Sequence, residues 1–199
     1  MLSEFSVYLQ LGFRHIADLA GYDHILFIAA LSIPYAPSDW RRLGVLVTAF
    51  TVGHSVTLAL ATLRVVSVPS ALVETLIPAT ILITAALALL EQRRAERSGR
   101  TLAPSARYAL AAGFGLFHGL GFSTYLRSLL GEEESLALPL LAFNVGLELG
   151  QLLILAVVLA IGAVVVALRM PRRRWTQLLA GVTGAMASVL LVQRIGGGT

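Results

Sequence analysis

Long apolar stretches dominate this sequence, and short segments rich in arginine, proline and glycine separate them. A membrane-spanning helix needs about 20 mostly apolar residues. Six stretches reach that length, which predicts six transmembrane helices. They lie near residues 6–34, 41–63, 69–90, 106–129, 135–168 and 175–194.

The first and fifth stretches are longer than a bilayer requires, so each is expected to tilt, kink or divide. In the first stretch, Gly21 marks the expected break. The predicted fold is an all-α polytopic membrane helix bundle with a broken or extended first helix. Only residues 91–107 resemble a flexible linker, so residues 1–199 are expected to form a single transmembrane domain.

Composition supports this class, because 57% hydrophobic residues, 13% charged residues and a mean hydropathy of +0.81 exclude an ordinary soluble domain. The absence of cysteine excludes disulfides, thiolate ligands and cysteine nucleophiles. The pI of about 10.1 comes from arginines that border the spans, which topology and anionic lipid headgroups explain. We therefore expect the lipid bilayer as a partner, and no nucleic acid.

The arginines are distributed unevenly between alternate connections, which predicts that the arginine-rich connections face the cytoplasm. Both termini are then expected outside. The first residues lack the basic segment of a secretory signal, so no cleavage is expected. The arginines of the cytoplasmic connections are Arg41, Arg42, Arg93, Arg94, Arg97, Arg100, Arg107, Arg169, Arg172, Arg173 and Arg174.

All four histidines lie within the apolar stretches or at their mouths, where ionisable groups are costly and usually functional. At 1.5 Å of rise per residue, His54 lies ~18 Å beyond Arg42 and His118 lies ~16 Å beyond Arg107. His24 and Glu148 reach a similar depth. With Asp23 and His15, these side chains form the candidate metal site.

Further polar residues support this site. Asn144, Glu148 and Gln151 share one helical face, and Glu74 and Ser55 lie within other spans. No arginine is expected beside Asp23, Glu74 or Glu148. These acids are then protonated, paired with histidinium, or placed around a cation, since an unpaired buried carboxylate is too costly.

Other interpretations of these histidines remain open. His54 could hydrogen-bond to Ser55 or Thr51 across helices, and His118 has a similar alternative. His15 lies nearer the outer surface, and on a straight helix it points about 180° away from His24. Joint ligation by His15 and His24 therefore requires the break at Gly21.

Imidazole and carboxylate ligands without thiolate argue against copper(I). Nickel, cobalt, zinc, iron(II) and manganese remain as candidates, and imidazole-rich sites favour the later metals of this series.

Several motifs together resemble the HupE/UreJ family of hydrogenase and urease accessory membrane proteins. They are GFRHIADLAGYDHILFIAALS, FTVGHSVTLALA, VETLIPATI, FGLFHGLGFS and FNVGLELGQ, and they cover five of the six stretches. The sequence resembles a divergent branch, because its gap between the first histidine and the Asp-His pair is longer. His118 also stands alone, without the usual histidine-rich string.

The resemblance implies nickel or cobalt uptake across a bacterial-type inner (plasma) membrane. By matching position it assigns the metal to His15, Asp23, His24, His54, His118 and Glu148. It also leaves a homo-oligomer and metalloenzyme maturation proteins open as partners.

Two other function classes remain. The first is a membrane-embedded metallohydrolase acting on a lipid or peptide, with Glu148 or Glu74 as general base and Ser55 or Ser123 assisting. The second is a metal-free scaffold. Transport is favoured, although the cytoplasmic halves of the spans carry only scattered hydroxyls such as Thr48, Thr80 and Thr84, so an ion path would end halfway.

Overall fold

A computed structural model describes residues 4–130 and 136–196. These residues form seven α-helices and one short 3₁₀ helix at Pro37–Asp39, and they contain no β-strand. The α-helices are α1 (Glu4–Ile16), α2 (Asp23–Ser32), α3 (Trp40–Thr62), α4 (Ser70–Ser98), α5 (Pro104–Leu130), α6 (Ala137–Ala167) and α7 (Arg172–Gly196).

The first apolar stretch divides into α1 and α2, which confirms the predicted break. The helices have 13 and 10 residues, so each is far shorter than a bilayer span. Residues 17–22 join them and include Gly21. Within this connection, the Asp18 side chain accepts a hydrogen bond from the Ala20 amide at 2.9 Å. The connection therefore separates two short helices within the first apolar stretch.

Four segments among the described residues are long and apolar enough to cross a membrane, which indicates a membrane protein. They are Pro37–Thr62, Ser70–Ser98, Ala137–Ala167 and Arg172–Gly196. Helix α5 has 27 residues and therefore sufficient length, but histidine, serine, tyrosine and arginine side chains make it less apolar.

Glycines allow two pairs of helices to approach closely. On α3 and α5, a side chain at Gly53 would collide with the Ala112 carbonyl, and one at Gly119 would collide with the His54 carbonyl. On α1 and α6, Gly12 contacts Phe143 in the same way. Small residues have this role in membrane helix interfaces. The contact of Gly119 with His54 places His54 and His118 at the same depth, as predicted.

The segment 91–107 is mostly helical, so its interpretation as a flexible linker was wrong. Helix α4 continues to Ser98 and ends at Gly99, which adopts a left-handed conformation with φ of 65°. The Glu91 carboxylate accepts hydrogen bonds from Arg107 at 2.9 Å and from the Leu102 amide at 3.0 Å. These bonds fold the connection back onto α4, and the polar composition of the segment concealed them.

Candidate metal centre

His24 occupies the first turn of α2, where Asp23 orients its ring. The Asp23 carboxylate oxygen Oδ1 lies 3.1 Å from His24 Nδ1, and it also accepts the His24 backbone amide at 2.9 Å. Nδ1 therefore donates to Asp23, which leaves the lone pair on Nε2. A carboxylate that holds a histidine in this way is common beside metal ligands. In this geometry Asp23 positions His24.

Three histidines from three helices meet beside the break. They are His15, His24 and His54, which we call the three-histidine cluster. Each offers one ring nitrogen as a ligand atom, and these three nitrogens lie within 4.8 Å of one another. The ring centres are 4.8 Å apart for His15 and His24, and 6.0 Å apart for His24 and His54. Because α1 ends at Ile16, His15 can face His24, as joint ligation required.

Four ring nitrogens of this cluster are buried and lack hydrogen-bond partners among the described residues. His54 is 0% exposed, and neither of its nitrogens has a hydrogen-bond partner. Nε2 of His15 and Nε2 of His24 are also buried without one. Each buried polar group without a partner costs about 1–3 kcal/mol. The alternative in which His54 hydrogen-bonds to Ser55 or Thr51 is therefore wrong here.

The cluster is close to the size that a metal ion requires. A tetrahedral ion with metal–nitrogen bonds of ~2.1 Å holds its ligand nitrogens roughly 3.4 Å apart. The largest separation, 4.8 Å, reaches that value if each ring moves inward by about 0.7 Å. Small side-chain rotations are sufficient for such a change, and the unpartnered nitrogens supply the lone pairs that a metal needs. The residues therefore fit a divalent transition metal.

His118 lies next to the three-histidine cluster but is not part of it. Its ring centre is 5.1 Å from that of His24. Its Nε2 lies 3.0 Å from the Thr80 hydroxyl, which donates its own hydrogen to the Ile77 carbonyl at 2.7 Å. Nε2 of His118 therefore donates to Thr80, and the lone pair lies on Nδ1, which has no partner among the described residues.

Thr80 is thus a positioning residue that sequence reasoning treated only as a scattered hydroxyl. A single threonine in an apolar helix carries no signal of this role, because the contact depends on the packing of α4 against α5.

A cavity of about 1020 Å³ reaches the histidines from one side. His15, His24 and His118 line it, together with Asp23 and the connection between α1 and α2. The charged side chains Arg14, Asp18, Glu74 and Arg194 also line it. An ion in this cavity would therefore have polar side chains along its way to the three-histidine cluster.

Glu74 forms an ion pair with Arg194 at 2.7 Å, with about half of each side chain exposed. The expectation that no arginine lies beside Glu74 was therefore wrong. The two residues are 120 positions apart and meet because α4 packs against α7.

Glu148 lies in a separate group of oxygen atoms between α3 and α6. Its two carboxylate oxygens lie 2.6 Å from the Thr48 hydroxyl and 2.5 Å from the Thr51 hydroxyl. Gln151 Oε1 lies 2.9 Å from the same Thr51 hydroxyl. The three-histidine cluster does not include Glu148. The structure therefore brings the histidines together and places this acid with hydroxyl and amide oxygens.

The remaining predicted polar residues lie near this group. Ser55 donates to the Thr51 carbonyl at 2.6 Å, so its hydroxyl is engaged within α3. Asn144, one turn before Glu148 on α6, has a buried Oδ1 without a partner among the described residues.

No curated protein and no solved structure matches the chain. The sequence model described as HupE / UreJ protein matches residues 1–194. Since this match covers nearly the whole chain, the chain belongs to the HupE / UreJ family.

Proposed function

We propose that the protein transports a divalent transition metal ion, of the nickel or cobalt type, through a membrane site built by the three-histidine cluster. The observation that carries this proposal is the meeting of His15, His24 and His54 with buried nitrogens that lack protein partners. Asp23 orients His24, and His118 provides a further lone pair beside it. Family membership supports the same class of metal handling.

The broken first helix supports transport over simple storage. Secondary transporters commonly bind their ions where a membrane helix is interrupted near the midplane. Here the interruption lies between α1 and α2, directly after His15 and before His24. The large cavity reaches this point from the end of the bundle that holds Glu74 and Arg194. Access from one side suits one state of an alternating-access cycle.

The ligand chemistry restricts the ion. Neutral imidazoles without thiolates suit nickel, cobalt and zinc, and the sequence contains no cysteine. We propose nickel or cobalt as the cargo, on the family link to hydrogenase and urease maturation, and zinc as the alternative ion.

We also propose the topology that the arginines predict. In it, α1 and α2 together form one of six spans in a single domain, the arginine-rich connections are cytoplasmic and both termini lie outside. The membrane is then a bacterial-type inner membrane, and a homo-oligomer and maturation proteins remain candidate partners.

The hydrolase alternative has weaker support. Three histidines and an open cavity resemble a catalytic zinc site. However, Glu74 is paired with Arg194 and Glu148 is bonded to Thr48 and Thr51, so both candidate general bases are engaged elsewhere. The candidate hydroxyls Ser55 and Ser123 donate to backbone carbonyls.

The proposal is tested on protein purified in detergent without chelators. Ni²⁺ and Co²⁺ binding is measured by titration and elemental analysis, and uptake is measured in proteoliposomes. His54→Ala should weaken binding by at least about 100-fold and abolish uptake, because it removes a buried ligand. Thr62→Val is the matched control on the same helix, since Thr62 is buried and its hydroxyl has no partner among the described residues.

Tight binding that is unchanged in His54→Ala would exclude this site. A bound ion that never exchanges, with no uptake into vesicles, would refute transport. Purified protein that holds and binds no metal would support the scaffold class.

A further inference from the structure

The group of oxygen atoms around Glu148 has a composition unlike that of the three-histidine cluster. We call Thr48, Thr51, Glu148 and Gln151 the oxygen cluster. It combines carboxylate, hydroxyl and amide groups and contains no imidazole. Gln151 is 0% exposed and Thr51 is 8% exposed, while Thr48 lies at the surface of the bundle. The cluster is thus buried at one end and open at the other.

Hydrogen atoms are too few for the contacts in this cluster. The Thr51 hydroxyl has one hydrogen, yet it lies near three acceptors, namely the Val47 carbonyl, Glu148 and Gln151 Oε1. The Thr48 hydroxyl likewise lies between the Gly44 carbonyl at 3.1 Å and Glu148. When Thr48 and Thr51 donate to Glu148, as their short contacts indicate, Thr51 has no hydrogen left for Gln151 Oε1. A cation among them would remove this conflict.

Reversing the Gln151 side-chain amide does not remove the need for positive charge. The reversed amide would donate one hydrogen to Thr51, since the oxygen and nitrogen of an amide are assigned from their contacts. An ionised Glu148 carboxylate would still need a counterion at membrane depth. Among the ion pairs of the described residues, none involves Glu148.

The oxygen cluster lies beyond the histidines when viewed from the large cavity. Thr51 precedes His54 by three residues on α3, which is ~4.5 Å along the helix towards Trp40. The described lining of the cavity includes His15, His24 and His118 but no member of the oxygen cluster. An ion that entered through the cavity would therefore meet the three-histidine cluster first.

We infer that the oxygen cluster is a second cation station, which receives the divalent ion after it leaves the three-histidine cluster. This inference rests on the proposed transport function. Imidazole binds nickel and cobalt well, whereas carboxylate, hydroxyl and amide oxygens suit harder ions such as Mn²⁺ and Mg²⁺. The ion would leave this weaker oxygen station more readily than the nitrogen site, which provides an exit towards the Trp40 end. It also extends the ion path beyond the histidines, where the sequence analysis expected the path to end.

The first experiment separates binding from movement. Co²⁺ binding and vesicle uptake are measured for Glu148→Gln, Thr51→Val and the exposed control Thr75→Val, whose hydroxyl bonds to its own helix. The two cluster variants should keep tight Co²⁺ binding within about threefold but lose uptake by at least about tenfold. The control should retain both. Circular dichroism and gel filtration establish that each variant is folded.

Two results would overturn the inference. Uptake that is unchanged in Glu148→Gln would show that the oxygen cluster is off the path. Binding that weakens as strongly in Glu148→Gln as in His54→Ala would show one joint site. Failure of the wild-type protein to bind or transport Co²⁺ is a different outcome, because it refutes the proposed function itself.

The second experiment detects the station directly with Mn²⁺, using electron paramagnetic resonance. In His54→Ala, the three-histidine cluster is incomplete, so one Mn²⁺ per chain should bind at the oxygen cluster. The double variant His54→Ala with Glu148→Gln should lose this signal. No Mn²⁺ binding to folded His54→Ala, or binding that the second substitution leaves unchanged, would overturn the inference.

Discussion

Asp23 should control metal affinity through the orientation of His24. Asp23→Asn keeps the shape of the side chain but removes the charge that holds His24 Nδ1–H at 3.1 Å. A hydrogen bond to a charged group contributes about 1.5–3 kcal/mol. Only 29% of the Asp23 side chain is exposed, so solvent screens this bond weakly. Without it, His24 loses its fixed tautomer and ring direction.

The expected loss is about 10–100-fold in Ni²⁺ or Co²⁺ affinity, the range found for carboxylates behind metal-ligating histidines. That range corresponds to about 1.4–2.8 kcal/mol. The measurement is competition titration against a chelator of known affinity, in detergent at constant ionic strength. Uptake at saturating metal should change less than affinity, since the ligand atoms themselves remain.

Asp18→Asn is the matched control for charge. Asp18 is exposed in the same connection, lines the same cavity and bonds to the Ala20 amide rather than to a histidine. If Asp23 acted only by attracting cations into the cavity, both variants would weaken binding equally. Equal losses, or an unchanged affinity in Asp23→Asn, would refute the orienting role.

Three further predictions follow from the site and the packing around it. Metal affinity should fall as the pH is lowered, since protonation of an imidazole removes the lone pair that binds the ion, and titrations that gave one affinity down to strongly acid pH would contradict histidine ligation. Gly119→Val should push α3 from α5 and lower both thermal stability and metal binding, whereas the side chain of Gly113→Ala meets no atom within 4 Å and should be tolerated. Equal melting temperatures of the two variants would count against the close contact between α3 and α5. Glu91→Gln should destabilise the protein by up to about 3–5 kcal/mol, because it breaks a buried ion pair with Arg107. Glu96→Gln breaks an exposed ion pair with Arg173 and should cost under about 1 kcal/mol in the same unfolding measurement.

The helices themselves could be predicted from the sequence because long apolar stretches and their arginine borders fix length and position. The break near Gly21 was predictable for the same reason, since residues 6–34 exceed one span. The depth of His54 and His118 followed from helical rise alone. These features depend on positions along one helix, which a sequence displays directly.

Contacts between helices were not predictable in the same way. The pairing of Glu74 with Arg194 depends on α4 lying beside α7, and no residue pattern states that neighbourhood. Likewise, Glu148 was expected among the histidines because its depth is similar. The depth of a residue gives its position along the helix axis, whereas rotation about that axis decides which neighbour its side chain faces. On α6, Glu148 faces Thr48 and Thr51.

Close contacts between helices hold some of the metal ligands more firmly than others. His54 stands on a long helix whose backbone touches that of its neighbour at Gly53, Gly115 and Gly119, so sliding either helix would require both to separate. His15 and His24 lie on the short helices α1 and α2, which six residues join. Helix α1 is held in the same way as α3, because Gly12 and Gly146 bring it against α6. Opening of the three-histidine cluster is therefore easiest by movement of α2, which carries His24 and has no such glycine contact among the described residues.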